Sequence, residues 1–463
     1  MFPDDSLEPL RLGRSLKHYS LNRVKTSEET LLDVLPTCKR IGVTRICDIT
    51  YMDRLFVPNY SSILPGTVDT FWVYGGKGTT KSAAKASALM EAIERYSSFY
   101  PMNSRRVIQG THHCLSKSYE KVLHPAEVVE PLRFEQIEDT KLDYIPGFDL
   151  ISNELILVPA ELVFYRHLPK APSVSVFKYS HTNGLASGNV LEEAICHALC
   201  EVIERDAVSI ADLCASHIQY NIIWKIAEAI QEARNDPFLD CAHFEERYVD
   251  DSSIFSDLDI SEIVEEFEPL KSLTQKFLAA DIPLLIKDIT QKDIGIPTFV
   301  ASSIEWLTSD YGLFAKGYGT HPDSRVALIR AITEVSQTRA ANIQGARDDL
   351  KKIKYKENDE IYKRKWAFMP SSVSSDSQAG SNGLIKFSEV RTYSNRDIAD
   401  DIHLIVSRLK RAGIRRVIIV DMTNPQIGIP VVRAIVPGLE TFEVIASIMG
   451  GRAIRCFNRL TRS

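Results

Sequence analysis

The stretch AKASALMEAIER at residues 84–95 recurs in outline as AICHALCEVIER at residues 194–205 and as ALIRAITEVSQT at residues 327–338. Each copy begins with an alanine, has a second alanine four places later and a glutamate seven places after the first. Three segments of one chain rarely agree at so many positions by chance, so the pattern indicates an internal repeat. The apolar residues three and four apart predict an amphipathic helix for each copy.

Glycines precede every copy, as Gly76-Lys77-Gly78, Gly184–Gly188 and Gly317-Tyr318-Gly319. We expect them to form turns that open helices at about residues 82–99, 189–216 and 324–342. Backbone N–H groups at a helix N-terminus attract anions. The sequence therefore predicts three repeated glycine-turn/helix elements that can face a phosphate.

The rest of the chain alternates helical patterns with β-branched strands, which predicts an α/β (mixed α+β) fold. The other predicted helices lie near residues 27–35 and 397–412, and the predicted strands at 43–49, 155–158 and 416–420. Residues 220–295 resemble a helical and loop region, and the Ser-rich stretch 371–383 is typical of a loop. We divide the chain into an N-terminal segment (1–60), a catalytic domain with internal repeats (61–441) and a C-terminal tail (442–463).

Composition excludes several classes of protein. Of 463 residues, 44% are hydrophobic and 25% are charged, as in an ordinary globular protein. The net charge of −6 gives no basic field for nucleic acid. The N-terminus has no apolar run typical of a signal peptide, and no stretch approaches the roughly 20 apolar residues of a membrane span. We therefore expect a cytoplasmic protein without nucleic-acid or membrane partners.

Each repeated helix carries a pair of side chains with oxygen ligands on one face, and the pair is acidic in the first two copies. In the first two copies the pairs are Glu91 with Glu94 and Glu201 with Glu204, and in the third copy Glu334 is followed by Gln337. A solvated charged face is the simpler interpretation of one such helix. It explains three helices less well, because lysines do not follow these glutamates at the usual i+4 spacing.

If the three faces converge, five carboxylates and one amide meet in one cavity, where uncompensated charges would repel or take up protons. Carboxylate and amide oxygens are suitable ligands for Mg²⁺, which commonly binds together with phosphates. Four cationic side chains can neutralise phosphate oxygens: Lys77, Arg95, Arg205 and Arg339. No Walker motif is present, so we predict a Mg²⁺-nucleotide site outside the P-loop class, with ATP as the nucleotide.

These residues also resemble the motifs of the YcaO superfamily. The first ATP motif resembles the segment from Gly76 to Arg95, the second that from Thr182 to Asp206, and the third Thr333–Arg339 followed by residues 345–349. Residues 42–54 and Pro430–Glu440 are also similar to the family. The resemblance covers residues 20 to 441, which is nearly the whole chain.

The resemblance implies a YcaO-type ATP-binding fold and the roles of individual residues. By motif position, Glu91, Glu94, Glu201, Glu204 and Gln337 would hold Mg²⁺, while Lys25, Ser87, Asn189, Glu193 and Arg205 would contact the nucleotide. It also implies a homodimer. Members of the family activate a peptide backbone amide: its oxygen attacks the γ-phosphate, and a nucleophile then displaces phosphate from carbon.

The nucleophile distinguishes the members of the family. Azoline-forming members use a substrate side chain and typically end in a proline-rich tail, whereas residues 452–463 contain no proline. The chain is more similar to the archaeal thioamide-forming members, which install thioglycine in the α subunit of methyl-coenzyme M reductase, often with a TfuA-like sulfur-delivery partner. The alternatives are azoline or amidine formation on a ribosomal peptide, a helper role in ribosomal-protein β-methylthiolation, and an ATP-binding scaffold without amide chemistry.

Several other polar residues have a structural interpretation that we prefer. Thr111-His112-His113-Cys114 could ligate a metal, but adjacent loop histidines are more often solvated. The eight cysteines are scattered, and Cys196 and Cys200 are expected in the core. His181 and His321 flank glycine turns and are expected to be spacers. Asp53-Arg54 and Asp206 could act in catalysis or only orient helices, and no residue is identified as the general base.

Overall fold

The computed structural model describes residues 10–17, 22–69, 71–99, 107–128, 140–165, 181–214, 255–308, 311–344, 384–441 and 450–452. The predicted loop 371–383, the end of the third motif at 345–349 and most of the 442–463 tail lie outside these ranges. Within them, no helix combines the length and apolar character that crossing a membrane requires.

Nine α-helices form in the described residues, and the three that contain the repeat are among the longest. The helices are α1 (Ser27–Ile41), α2 (Lys81–Ser98), α3 (His112–Ser118), α4 (Ala160–Val163), α5 (Leu191–Cys214), α6 (Ser261–Glu266), α7 (Glu268–Ala279), α8 (Ser324–Gln344) and α9 (Ile398–Arg411). The predictions for α1, α2, α5, α8 and α9 are confirmed to within a few residues, except that α1 is longer.

The strands are β1 (Arg45–Asp48), β2 (Asn59–Ile63), β3 (Val73–Lys77), β4 (Ile108–Gly110), β5 (Leu142–Asp149), β6 (Glu154–Pro159), β7 (Leu185–Ser187), β8 (Leu258–Asp259), β9 (Leu285–Asp288), β10 (Thr298–Thr308), β11 (Tyr311–Thr320), β12 (Ile385–Lys386), β13 (Ile418–Asp421) and β14 (Val431–Ile435). The chain is mixed α and β, as predicted from its alternating patterns.

Three antiparallel sheets form in the described residues, and one repeated helix packs on each of these three. The first sheet has the order β1-β2-β3 and carries α2, and the sheet β11-β10-β9 carries α8. The largest has the order β4-β5-β13-β14-β7, with β6 paired to β5, and carries α5 on β14 and β7. A short parallel pair joins β12 to β8. Each copy of the repeat is therefore a strand followed by the helix that covers it.

Local capping explains where the first helices begin. Thr26 precedes α1 and forms a capping box with Glu29, and α1 ends at Gly42 with a φ of 99°. Thr80 precedes α2 and accepts the Ala83 backbone N–H. A side-chain acceptor at this position satisfies a backbone donor that the helix itself leaves unpaired, and it typically contributes about 1 kcal/mol. Capping by Thr80 thus fixes where the acidic face of α2 starts.

The repeated glycines let each strand lie directly on its helix. A Cβ atom at Gly76 would lie 2.3 Å from the Ala84 carbonyl oxygen and 2.1 Å from the Ala88 nitrogen. At Gly319 it would meet the corresponding atoms of Ala327 and Ala331, at 2.0 Å and 2.7 Å. The small residues on both sides therefore set the same close strand–helix packing in two copies.

Two sequence predictions need correction here. Gly76 of the first copy lies inside β3, and Gly317 and Gly319 of the third copy lie inside β11, rather than in turns. These three glycines therefore permit close packing of strand on helix, whereas Gly78 directly follows β3. A domain boundary between residues 60 and 61 falls inside β2, which pairs with both β1 and β3. The residues from 45 onwards are therefore part of the first repeat's sheet.

Candidate nucleotide and metal site

The acidic faces of α2, α5 and α8 approach one another. The charge of Glu201 on α5 raises the pKa of Glu94 on α2, in addition to the larger effect of burial. Burial and then the charge of Glu334 on α8 raise the pKa of Glu204 to about 7. The carboxylates of three helices thus influence one another, as the sequence analysis required for a shared cavity.

Cations surround the same carboxylates. Lys77 on β3 forms an ion pair with Glu334 on α8. Burial alone would raise the pKa of Glu334, but Lys77 and Arg205 outweigh it, and the pKa is lowered. The side-chain amide of Gln337 lies against β3, since a Cβ at Gly75 would be 2.6 Å from its Nε2 atom. The third helix therefore contributes a carboxylate held by Lys77 and a neutral amide to this cluster.

One carboxylate oxygen of the cluster is a suitable ligand for a metal ion. Oε2 of Glu204 is buried, and it has no hydrogen-bond partner among the described residues. A buried carboxylate oxygen without a donor is costly unless a cation or a proton compensates it. A divalent cation held by Glu94, Glu201 and Glu204 would supply that charge. The donor set is thus of the kind that Mg²⁺ prefers.

The raised pKa of Glu204 makes a prediction for the protein stripped of divalent ions. The folded-state pKa of about 7 lies above the ordinary 4.5, so the folded form binds the proton more tightly than the unfolded chain. The free energy of unfolding should therefore fall as pH rises from about 4.5 to about 7. Urea titrations across this range check it, and Glu204→Gln should flatten the dependence. A wild-type stability that rises over the range contradicts the assignment.

The N-terminus of α5 is tied to the segment that precedes α1. Glu193 accepts hydrogen bonds from the Val24 backbone N–H at 2.6 Å and from both the backbone and side-chain nitrogens of Asn189 at 2.9 Å. Arg23 Nη1 lies 3.3 Å from the same carboxylate, and Thr30 donates to Asn189 Oδ1 at 2.9 Å. Both oxygens of Glu193 are therefore occupied by the protein, so in this structure it holds Asn189 in place.

The remaining predicted nucleotide residues lie on or beside these elements. Lys25 follows Val24 directly and forms an exposed ion pair with Asp33 at 2.6 Å. Ser87 is half-buried on α2. Arg95 lies 3.5 Å from Glu91 on the same helix and over the ring of Tyr165. These positions are compatible with the predicted roles, which stay predictions.

Arg339, predicted to bind the nucleotide, forms ion pairs with two carboxylates. Its side chain is only 1% exposed, and it donates to Asp53 through Nε at 2.8 Å and Nη2 at 2.9 Å. Nη2 also lies 2.7 Å from Glu305. Nε and Nη2 of the guanidinium are thus held by two carboxylates, whereas Nη1 has no hydrogen-bond partner among the described residues. The nucleotide-binding role of Arg339 stays a prediction, and Asp53 belongs to the same ion-pair network.

Sequence reasoning missed two arginines whose charges act on the cluster. Burial raises the pKa of Glu201 and Glu204, and the charge of Arg330 opposes that rise; it also contributes, after Lys77 and Arg205, to the lowered pKa of Glu334. Arg330 occupies the repeat position of Ser87 and His197, so the alignment of the three copies already marked it. Arg433 on β14 is 3% exposed, and burial lowers its pKa to about 10 beside Glu201 and Glu94. Only tertiary structure brings it there.

Most of the other polar candidates have structural roles. Thr111 caps α3 by accepting the Cys114 backbone N–H. The backbone oxygen of His181 accepts from Arg433 at 2.9 Å, and its ring Nδ1 lies 3.1 Å from the same guanidinium. Asp206 is fully buried in an ion pair with Arg452. Cys200 is buried, as expected of a core residue.

One further group could share a metal ion among the described residues: Cys196, His321 and Asp401, whose ligand atoms lie within 4.8 Å of one another. However, Asp401 already holds Lys17 at 2.5 Å, and Nδ1 of His321 accepts the Asp323 backbone N–H at 2.9 Å. Because that bond places the ring proton on the other nitrogen, the histidine is a donor there. We therefore interpret the group as a buried ion-pair cluster.

Comparison with known proteins identifies the family of this chain. A sequence profile of YcaO cyclodehydratases, described as ATP- and Mg²⁺-binding, matches residues 75–440. The chain belongs to the YcaO family. The resemblance seen in the sequence is thereby confirmed, and with it the cofactors ATP and Mg²⁺. As a YcaO protein, the chain is an ATP-dependent enzyme.

Two relatives cover most of this YcaO chain. An uncharacterized protein of Methanothermobacter thermautotrophicus is 34% identical over 430 residues, which are 92% of this chain and 96% of the relative. A protein encoded in the tfuA 3′ region of Rhizobium leguminosarum bv. trifolii is 30% identical over 427 residues, or 90% of this chain and 89% of the relative. Neither name states an activity.

Solved structures share the fold. YcaO from Methanopyrus kandleri, bound with AMPPCP and Mg²⁺, is 23% identical with a TM-score of 0.65, over 93% of this chain and 95% of the other. A heterocyclase in complex with substrate and cofactor is 22% identical with a TM-score of 0.66, over 94% of this chain. This chain spans 55% of the heterocyclase's length. The YcaO-type fold predicted from the sequence is confirmed.

Proposed function

We propose that this protein uses ATP and Mg²⁺ to activate a peptide backbone amide and completes the reaction with sulfide, giving a thioamide. The observation that carries the ATP step is the cluster of Glu94, Glu201, Glu204 and Glu334 on three helices, with one buried carboxylate oxygen lacking a donor. The support for sulfide is the relative from a tfuA region, since TfuA-like proteins are the proposed sulfur-delivery partners.

In the proposed reaction the protein has little covalent chemistry of its own to carry out. The amide oxygen attacks the γ-phosphate, ADP leaves, and sulfide displaces phosphate from the amide carbon. A bound Mg²⁺ would neutralise charge on the triphosphate, and catalysis would consist mainly of positioning and electrostatic stabilisation. Lys77, Arg205 and Arg330 influence the carboxylates that would hold the metal, so they are the side chains best placed to take phosphate oxygens.

The proposed partners follow from the same reasoning. We propose that the substrate is a glycine-containing peptide segment of the methyl-coenzyme M reductase α subunit. We also propose that the enzyme is a homodimer.

A second candidate function is that of an azoline-forming cyclodehydratase, which the description of the matched family favours. In that case a side chain of the peptide replaces sulfide as the nucleophile, and one water is lost.

Mass spectrometry of the peptide distinguishes these reactions. The protein is incubated with ATP, Mg²⁺, sulfide and a glycine-containing peptide from the reductase, with and without a TfuA-like protein. A mass gain equal to the difference between sulfur and oxygen supports the thioamide, and loss of one water supports the azoline. ATP binding without peptide-dependent phosphate release would instead favour a scaffold and contradict the proposal.

A further inference from the structure

A buried charged residue occupies the same repeat position in two of the three helices, and we call this residue the anchor of its helix. Five places beyond the aligned glutamates Glu91, Glu201 and Glu334 stand Tyr96, Asp206 and Arg339. The two charged residues are almost completely buried, with exposed fractions of 0% and 1%. Their charges are opposite.

The anchor of α8 connects three segments of the chain. Arg339 donates two hydrogen bonds to Asp53, in the loop between β1 and β2, and a third to Glu305 on β10. The other oxygen of Glu305 lies 2.8 Å from Arg54. The network therefore links α8 to the first repeat's sheet as well as to its own.

The anchor of α5 is a carboxylate that an arginine holds, so its charge is opposite to that of Arg339. Both oxygens of Asp206 accept from Nε of Arg452, at 2.9 Å and 2.8 Å, and one also accepts the Glu440 backbone N–H at 2.9 Å. Arg452 continues to Asp293, whose Oδ1 lies 2.9 Å from Nη2. Three separate segments thus meet on this helix too.

The anchors lie on the faces that point away from the acidic cluster. At roughly 100° per residue, a position five places on lies about 140° from the aligned glutamate, and about 160° from the residue three places on, around the helix axis. Apolar packing tolerates small rotations of a helix, whereas a multidentate guanidinium–carboxylate contact has a fixed geometry. A guanidinium–carboxylate contact on the face opposite the acidic cluster therefore fixes the direction in which the clustered carboxylates point.

We propose that Asp206 and Arg339 are positioning residues, which set the rotation of α5 and α8 so that Glu201, Glu204, Glu334 and Gln337 face one metal–nucleotide site. Their opposite charges restrict each helix to its own partners. In the first copy Tyr96 takes the position and packs with Leu64 and Tyr74 instead. This inference rests on the proposed metal-binding role of these side chains, but not on which nucleophile completes the reaction.

The test replaces the Asp53–Arg339 ion pair by apolar side chains. In D53L/R339M the buried Asp53–Arg339 pair is exchanged, and Glu305, which is partly exposed, keeps its contact with Arg54 at 2.8 Å. Replacing a buried ion pair by apolar residues is often neutral for stability. Mg²⁺ is titrated by calorimetry in the presence of AMPPCP, and thermal melting is recorded in parallel. We expect near wild-type melting, with Mg²⁺ affinity lowered by about 10-fold or more, as when outer contacts of metal ligands are lost. Arg325→Met is the matched control on α8, because its pair with Asp323 stays at the helix start.

The outcomes separate the two proposals. A folded D53L/R339M protein with wild-type Mg²⁺ affinity overturns the positioning role. If that variant fails to fold, Arg339→Lys decides, since it keeps the charge but loses the two-pronged contact. Weaker Mg²⁺ binding by the lysine variant supports the proposal, and unchanged binding overturns it. If the wild-type protein itself shows no Mg²⁺-dependent AMPPCP binding, the metal site and this inference fail together.

Discussion

Glu204→Ala is expected to lower ATP turnover by at least about 100-fold, the effect typical of losing one preorganised electrostatic contact. Glu204 is 4% exposed, and its Oε2 atom has no hydrogen-bond partner among the described residues. Its removal takes an oxygen from the site proposed for Mg²⁺ without breaking a hydrogen bond to that atom. Glu91→Ala and Glu201→Ala are expected to act in the same direction.

The stability of these variants separates catalysis from folding. Because burial raises the pKa of Glu204 to about 7, its charge is not favourable in the folded protein without a metal ion. Glu204→Gln should therefore melt at or above the wild-type temperature near pH 7 while turnover is lost. Glu266→Ala, exposed at the end of α6, is the control and should change neither quantity. Wild-type turnover in the Glu91, Glu201 and Glu204 variants contradicts the metal site.

Gly76→Ala is expected to destabilise the protein by about 3 kcal/mol or more, at the upper end of overpacking effects. The added Cβ would lie 2.1 Å and 2.3 Å from backbone atoms of α2, and backbone cannot move aside as a side chain can. The strand β3 would have to separate from the helix that carries Glu91 and Glu94. Denaturant unfolding followed by circular dichroism measures the change.

Gly75→Ala is the matched comparison, one residue away on the same strand. Its Cβ would meet only the flexible side chain of Gln337, with 2.6 Å to the amide nitrogen. We expect a loss of stability below about 1 kcal/mol, because the side chain can rotate away. Mg²⁺ dependence should nevertheless change, since Gln337 is displaced. Equal stability of the Gly76 and Gly75 variants would show that the close strand–helix packing is not required.

Much of the fold could be predicted from local patterns. The three repeated helices and their acidic faces follow from periodicity within 84–95, 194–205 and 327–338, and the structure places all three as expected. Helix formation depends mainly on neighbouring residues, so a single sequence is informative there. The glycines were identified as important, but their role was assigned to turns, because a sequence does not show which backbone lies above a glycine.

For the site, as for the fold, one part follows from the sequence and another part only from the tertiary structure. The sequence by itself determined that Glu94, Glu201, Glu204 and Glu334 lie on repeated helical faces. Only the tertiary structure decided which cation each charge meets. Asp53 pairs with Arg339 across 286 positions of sequence, and Arg433 reaches the cluster from β14. Helical periodicity is a local property, but the partner of a buried charge is chosen by long-range packing, in which many pairings satisfy the same residue types.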